Sequence, residues 1–269
     1  MNDKLRTQTI EDFGDQWTRY QDNEGYYGSV ELLRDILEPL TPLESVRGQT
    51  VAEIGSGTGR IVQMLLDAGV SRITALEPSK AMDVLRANTV EKSDRIRYVQ
   101  ARGEQLPSDQ PFDFVFSIGV LHHIPDPAPV VRAAHRALKE EGRIVIWLYG
   151  REGNGLYLAF VLPLRKLTAL LPHSLLTPIC HVLNAGLGAY IALARIVPVP
   201  LRGYMTEVIG NFSTSKRYLV IYDQLKPAYA KYYRRAEAES LLEEAGFVDV
   251  RSHNRHGYSW TVVGVKKAT

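Results

Sequence analysis

Cysteine is almost absent from this chain of 269 residues, and charge of neither sign is in large excess. The single cysteine, Cys180, excludes an intrachain disulfide, and no Cys and His residues have the spacing of a zinc site. The net charge of +2, with both signs interspersed, lacks the asymmetry on which nucleic-acid binding depends. We therefore expect neither a metal nor a nucleic-acid partner.

An apolar signal segment is also lacking at the start, where residues 1–6 are polar and charged. Together with the scarcity of cysteine, this favours a reducing, cytoplasmic location. The length suits one α/β domain with a large core and an added segment.

What the chain does have is a glycine-rich turn within residues 50–60. A short apolar run is followed by Gly55, Gly57 and Gly59 at alternate positions and then by a segment with helical periodicity. Strand, glycine turn and helix form the first unit of a nucleotide-binding α/β sheet. Glycine accepts a positive φ and places no Cβ between the main chain and a ligand.

The glycine spacing restricts the ligand. A dinucleotide-binding turn needs a third glycine three residues after the second, where this chain has Arg60. Glu53, just before the turn, is expected to place a carboxylate near the ligand, which attracts a cation and repels a phosphate. A purely structural glycine turn is the alternative.

The pattern Glu-x-Gly-x-Gly-x-Gly resembles the first motif of class I S-adenosylmethionine (SAM) dependent methyltransferases. SAM carries an ammonium and a sulfonium group and no phosphate, which agrees with Glu53. Further ordered motifs in residues 50–150 and 235–265 resemble the ubiquinone/menaquinone (type 11-like) branch of this family. The resemblance implies SAM as cofactor and S-adenosylhomocysteine as product.

Later motifs extend the expected cofactor site. Glu77, at the end of a strand about twenty positions after the turn, is expected to accept the ribose hydroxyls, as an acid also does in NAD-linked enzymes. The resemblance places an adenine-binding acid where this chain has Arg102, so we expect the backbone of Arg102 and Gly103, or another side chain, to bind adenine. The expected SAM-binding residues are Glu53, Gly55, Ser56, Gly57, Gly59, Glu77, Pro78, Met82, Arg102, Gly103, Glu104, Ser117 and Gly119.

A histidine pair follows the fourth strand, residues 112–117. This segment resembles the family's fourth-strand motif and lies at the carboxyl end of the sheet, where open α/β folds bind ligands. Because histidine titrates near neutral pH, His122 or His123 is a candidate base for an acceptor hydroxyl. Alternatively, both pack against the cofactor.

Alternating helix and strand periods predict an α/β fold with a doubly wound parallel sheet. The resemblance implies a Rossmann-like sheet of seven strands with a reversed last strand. We assign residues 50–150 and 235–269 to the SAM-binding domain and residues 1–49 to a helical preface, of which Trp17 or Tyr20 is expected to line the SAM pocket. Residues 151–234 form a helical insertion after the fifth strand.

Asp, Glu, Lys and Arg are absent from residues 167–194 of the insertion, a length that raises the question of a transmembrane helix. Pro172 and Pro178 interrupt the run, and a span would separate the two halves of the domain. We expect apolar helices that cover the active site as a lid. A peripheral membrane contact or a homodimer through residues 155–201 are the open alternatives.

Tyrosines at helical spacing follow the apolar run. Tyr218, Tyr222 and Tyr229 are expected to form an acceptor pocket, since tyrosine combines an apolar ring with a hydrogen-bonding tip. Packing against the sheet is the alternative. Asp223 is a further candidate base if the insertion covers the cofactor.

These motifs predict methyl transfer from SAM to a small molecule, with a hydroxyl of a bulky or apolar, lipid-linked or natural-product acceptor as first expectation. N- or C-methyl transfer on the same fold remains open. An NAD-dependent oxidoreductase, which Arg60 and Glu53 argue against, and a SAM-binding module without catalysis are the alternatives.

Overall fold

The computed structural model describes residues 2–227 and 229–268. Met1 of the predicted preface, Ala228 of the predicted insertion and Thr269 of the predicted SAM-binding domain lie outside the described residues.

One sheet organises the described chain. Its strands are β1 Thr50–Ile54, β2 Arg72–Leu76, β3 Ile96–Val99, β4 Phe112–Ile118, β5 Leu138–Tyr149, β6 Phe247–Arg255 and β7 Ser259–Lys266. They lie in the order β3-β2-β1-β4-β5-β7-β6. Neighbouring strands from β3 to β5 pair in parallel, whereas β7 is antiparallel to both β5 and β6. The predicted doubly wound, Rossmann-like sheet with a reversed last strand is confirmed.

Helices cover both faces of this sheet. They are α1 Asn2–Arg19, α2 Val30–Leu37, α3 Arg60–Asp67, α4 Met82–Asn88, α5 Ala128–Ala137, α6 Gly155–Thr168, α7 His173–Ile196, α8 Thr214–Leu225 and α9 Arg235–Glu243. Because successive strand residues point to opposite faces, Val51 packs with the apolar side chains of α2 and α3, and Ala52 with those of α5 and α9.

The strand order reverses between β1 and β4. These two strands pair directly, with Val51 opposite Phe114 and Glu53 opposite Phe116. The chain leaves β1 towards one edge and β4 towards the other, so a crevice opens at their carboxyl ends, where folds of this type bind ligands. The glycine turn after β1 and the histidine pair after β4 are therefore neighbours.

Helices α6, α7 and α8 form the insertion between β5 and α9. They share a small apolar core that includes Val161, Leu176, Cys180 and Leu225. Helix α7 is long and apolar enough, by length and composition alone, to cross a membrane. Only 22% of its most apolar window is buried.

Candidate functional site

The glycine turn is built around positions where a side chain has no room. Gly55, Gly57 and Gly59 have φ angles of 80°, 51° and 85°. A Cβ atom at Gly55 would lie 2.5 Å from a methyl carbon of Val120, in the segment after β4. Close approach of the β1 and β4 loops, together with positive φ, therefore requires glycine here.

Glu77 ties the end of β2 to this turn. One carboxylate oxygen accepts a hydrogen bond from the Gly57 N–H (2.8 Å), and the other accepts from the N–H (2.9 Å) and hydroxyl (2.6 Å) of Ser79. Glu77 is nevertheless among the residues that line the neighbouring cavity. Since an ionised carboxylate accepts about four hydrogen bonds, it retains capacity for a ligand hydroxyl.

Glu53 is a buried acid without a partner. Its side chain is fully buried, and neither carboxylate oxygen has a hydrogen-bond partner among the described residues. Burial raises the pKa of Glu53 to about 8, and the nearby Glu77 carboxylate adds to the effect. A buried carboxyl group left unpaired is costly, so a cationic or hydrogen-bonding ligand group at the turn would stabilise it.

A cavity of about 430 Å³ extends from the glycine turn to the insertion. At the turn it is bounded by Gly55, Ser56, Gly57, Glu77, Pro78, Arg102, Gly103 and Gly119. At the insertion its wall is mainly aromatic and apolar, and includes Tyr149, Tyr157, Phe160, Leu164, Tyr204, Tyr232 and Tyr258. One continuous space therefore joins a polar turn to an aromatic chamber.

Helix α1 closes this space from above. Phe13 and Trp17 line the cavity. Trp17 packs so close to the glycine turn that a Cβ atom added at Gly57 would lie only 3.2 Å from the indole nitrogen. Arg6 pairs with Glu104, and Arg102 donates to Asp3 at 3.1 Å. These contacts hold the helix over the carboxyl ends of the strands.

Two acid–base groups also reach the cavity. Asp223 on α8 accepts a hydrogen bond from the side-chain amide of Gln16 on α1, and burial raises the pKa of Asp223 to about 6. His123 lies in the opposite wall, and burial lowers its pKa to about 4. Its Nδ1 lies 2.8 Å from the Tyr229 carbonyl oxygen, which can only accept, so Nδ1 carries the proton and Nε2 is the acceptor.

Comparison with known proteins agrees with this geometry. The family described as a methyltransferase domain matches residues 52–146. A ubiquinone biosynthesis O-methyltransferase of Pseudomonas paraeruginosa is 32% identical over 128 residues, which are 46% of this chain and 54% of that protein. Residues 52–146 are therefore similar to the methyltransferase domain, within a sheet of the class I methyltransferase type. The chain spans about half the length of the curated relatives it matches first.

Solved methyltransferase structures share the fold of this chain. The 1,6-didemethyltoxoflavin-N1-methyltransferase of Burkholderia thailandensis, with bound substrate and S-adenosylhomocysteine, gives a TM-score of 0.57 at 15% identity. That alignment covers 100% of this chain and 91% of the other. The SAM-dependent methyltransferase SibL gives a TM-score of 0.54 at 19% identity over 88% of this chain and 55% of the other. At these identities the likeness concerns the fold.

The glycine turn fits SAM. Glu53, the expected partner of the ammonium group, is buried without a partner among the described residues at the end of β1 and does not line the cavity. Glu77, at the end of β2, faces the cavity with its remaining acceptor capacity, as ribose hydroxyls require. Arg60 occupies the position where a dinucleotide-binding turn has its third glycine. Its guanidinium group stacks on the Tyr27 ring and donates a hydrogen bond to the Tyr27 carbonyl.

Several expected cofactor contacts need correction. Four of the expected residues do not line the cavity: Glu53, Met82 and Ser117 are buried, and Glu104 is paired with Arg6. Gly59 also lies off the cavity, because it begins α3 against Leu85.

Arg102 contacts α1 through its guanidinium group, and its backbone N–H already donates to the Gln105 side chain at 3.1 Å. That N–H is therefore not free for adenine. Gly103 remains at the cavity wall.

The histidine pair divides into two roles. His122 is fully buried off the cavity, and neither ring nitrogen has a partner among the described residues. Its ring stacks on Tyr149 at 3.8 Å between centroids, and burial holds its pKa well below the usual value. The structure does not bring the predicted base His122 to the cavity, because this ring packs beneath the aromatic wall. His123 alone faces the cavity.

The structure does not bring the tyrosines of the predicted acceptor pocket to the cavity. Tyr218 and Tyr222 lie on the face of α8 that packs with α6 and α7, where Tyr20 also contacts them, and the Tyr222 hydroxyl lies 3.2 Å from Nδ1 of His173. Tyr229 contributes its carbonyl to His123, and its side chain does not line the cavity. Asp223 lies on a different face of α8, which explains why it reaches the cavity and these tyrosines do not.

Other residues form the acceptor wall instead. Tyr232 stacks on Tyr149, with ring centroids 5.3 Å apart, and donates to the Gln224 side chain at 2.7 Å. Arg165, buried in α6, donates to the Tyr232 hydroxyl at 3.0 Å and to the same Gln224 side chain at 3.2 Å. The position of Tyr149 at the carboxyl end of β5 was the one signal in the sequence that could have identified this wall.

Proposed function

We propose that this protein transfers the methyl group of SAM to a hydroxyl group of a bulky, largely apolar small molecule. The observation that carries the proposal is the single cavity that joins the glycine turn to the aromatic chamber holding Asp223. The O-methyltransferase names of the curated relatives support it, although the match covers only about half of their length.

SAM supplies an electrophilic methyl group on a positively charged sulfur. The task of the chain is to place that group in line with the acceptor oxygen and to exclude water. Glu77 would bind the ribose of SAM, and α1 would cover the cofactor through Phe13 and Trp17.

Asp223 is the base in this proposal. With a pKa of about 6 it is a carboxylate at neutral pH, and it is poised close enough to neutrality to take a proton from an acceptor hydroxyl. The Gln16 amide occupies one of its oxygens and leaves the other for the acceptor. His123 remains neutral at the pH of the assay, and its Nε2 is available to accept a hydrogen bond from the acceptor.

The aromatic chamber determines the acceptor class. Tyr157, Tyr204 and Tyr232 present broad apolar faces with hydroxyl tips, which suits a ring or a long apolar group that carries a hydroxyl. A small, highly charged acceptor would lack partners along most of this wall.

The test is a methyl-transfer assay with labelled SAM and a panel of alkyl-substituted phenols, catechols and matched anilines. We expect labelled methyl ethers from apolar phenols and no product from the anilines. Methylation of the anilines alone would overturn the hydroxyl acceptor. Tight binding of S-adenosylhomocysteine without turnover of any acceptor class, including quinol and carbon acceptors, would instead favour a non-catalytic SAM-binding module.

A further inference from the structure

The insertion exposes an apolar surface that neither the cavity nor the core explains. Among the described residues, the large apolar side chains that are exposed all lie within residues 156–197, apart from Val90 and Val248. Leu156, Leu170 and Ile196 are exposed by 82%, 86% and 81%. Such a concentration on one segment is typical of an interaction surface.

Helix α6 carries one continuous apolar stripe. Its exposed residues at spacings of three and four are Leu156, Phe160, Pro163, Leu167 and Leu170, the last just beyond the helix end. On the opposite side, Leu158, Val161 and Arg165 are buried. The stripe therefore faces away from the shared core of the insertion.

Helix α7 repeats the arrangement over its whole length. Its exposed stripe consists of Leu175, Pro178, Val182, Ala185, Ala189, Leu193 and Ile196. Its buried residues, including Leu176, Cys180 and Asn184, lie on the other side. Ser174 and His181 are the polar side chains exposed beside this stripe, whereas a helix that faces water normally carries polar residues over its exposed face.

The charge around these stripes has one sign. Residues 153–206 contain no Asp or Glu, although the whole chain is nearly neutral. The exposed cations in this range are Lys166, Arg195 and Arg202. An apolar face bordered by cations, without any acid, complements an anionic lipid surface.

Helix α7 is held along the protein and does not stand free to cross a bilayer. The Asn184 side chain donates to the Thr214 carbonyl at 2.9 Å, and His173 contacts the Tyr222 hydroxyl. Leu176 and Cys180 are fully buried against α8. Crossing would break these contacts, so only the outer stripe is available to lipid.

We propose that the exposed faces of α6 and α7 dock this protein on an anionic lipid bilayer, lying in the interface without crossing it. Phe160 is 63% exposed on the α6 stripe and also lines the cavity, so the aromatic chamber reaches the docking face. The docking does not depend on the proposed methyl transfer. If both hold, the chamber opens towards acceptors dissolved in the bilayer.

The test is co-sedimentation of the purified full chain with vesicles of phosphatidylglycerol and phosphatidylcholine, and with vesicles of phosphatidylcholine alone. We expect binding to the anionic vesicles that weakens in high salt. Leu167→Glu with Leu170→Glu should lower the bound-to-free ratio by about tenfold or more, because both side chains leave the apolar boundary. Lys166→Glu with Arg195→Glu should lower it by about tenfold or more on anionic vesicles only.

Val90→Glu is the matched control, since Val90 is as exposed as Phe160, at 63%, but lies outside the insertion. It should leave vesicle binding unchanged, and thermal melting should show that all variants fold. No binding to anionic vesicles at low salt would overturn the proposal. Vesicle binding of the Leu167→Glu, Leu170→Glu variant equal to that of wild type would also overturn it. A third contrary result is a wild-type protein that does not bind vesicles but forms a stable dimer, with this variant a monomer.

Discussion

Replacing Asp223 by asparagine tests the proposed base with little change in shape. The amide oxygen of the new side chain can still accept the hydrogen bond from Gln16, so the link between α1 and α8 is kept. The variant cannot take up a proton in the pH range of the assay. Loss of a general base lowers the rate by about 10²–10⁴-fold.

The pH profile gives the sharper signature. Because burial raises the pKa of Asp223 to about 6, wild-type activity should rise as pH increases through about 6 and then level off. His123, with a pKa of about 4, adds no inflection in this range. Asp223→Asn should abolish the inflection near 6.

The free energy of unfolding should fall with rising pH, whereas the activity rises. The folded-state pKa of Asp223 lies above the ordinary 3.8, so the folded protein binds this proton more tightly than the unfolded chain. This contribution is present below about pH 4 and is lost as pH rises through about 6, to a total of about 3 kcal/mol. At pH 7.5, Asp223→Asn should therefore melt no lower than wild type.

Steady-state kinetics from pH 5 to 8, calorimetry with S-adenosylhomocysteine and thermal melts provide the assay. The expected result is a lower kcat, an unchanged Kd for S-adenosylhomocysteine and no inflection. Full activity of Asp223→Asn with the same inflection would refute the role of this carboxylate.

Three further predictions follow from the contacts. Glu77→Ala should weaken S-adenosylhomocysteine binding by about tenfold to hundredfold, because hydrogen bonds to a charged group are lost. Glu77→Gln keeps one acceptor oxygen and should weaken binding less. Calorimetry measures both Kd values, and an unchanged Kd would exclude Glu77 as a cofactor-binding residue. His122→Phe should retain more activity than Asp223→Asn, because this buried ring only packs against Tyr149; a loss equal to that of Asp223→Asn would restore His122 as a base. Tyr222→Phe should lower the free energy of unfolding by about 1 kcal/mol and leave KM unchanged, and a raised KM with normal stability would place this hydroxyl at the acceptor.

The sheet was predictable because its signals are local. Apolar runs that alternate with helical periods, and glycines at positions that require positive φ, can be read directly from the chain. Gly55 and Glu77 are examples: their spacing predicts a turn and an acid at neighbouring strand ends, and the structure joins them through the Gly57 N–H.

The acceptor side of the cavity was harder to predict, because its residues depend on which face of α8 packs against the other helices of the insertion. Tyr218, Tyr222 and Asp223 lie close together in sequence, yet only the aspartate reaches the cavity. The apolar core shared by α6, α7 and α8 takes the tyrosine face, and the sequence does not reveal how those helices pack. Tyr232 and Tyr149 meet through tertiary contact between segments distant in sequence.

The identity of the bound cofactor is the central claim to test. Calorimetric titration of the purified protein with S-adenosylhomocysteine and, separately, with NAD tests it most directly. We predict micromolar binding of S-adenosylhomocysteine, weakened in Glu77→Ala, and no binding of NAD. Binding of NAD without binding of S-adenosylhomocysteine would contradict it.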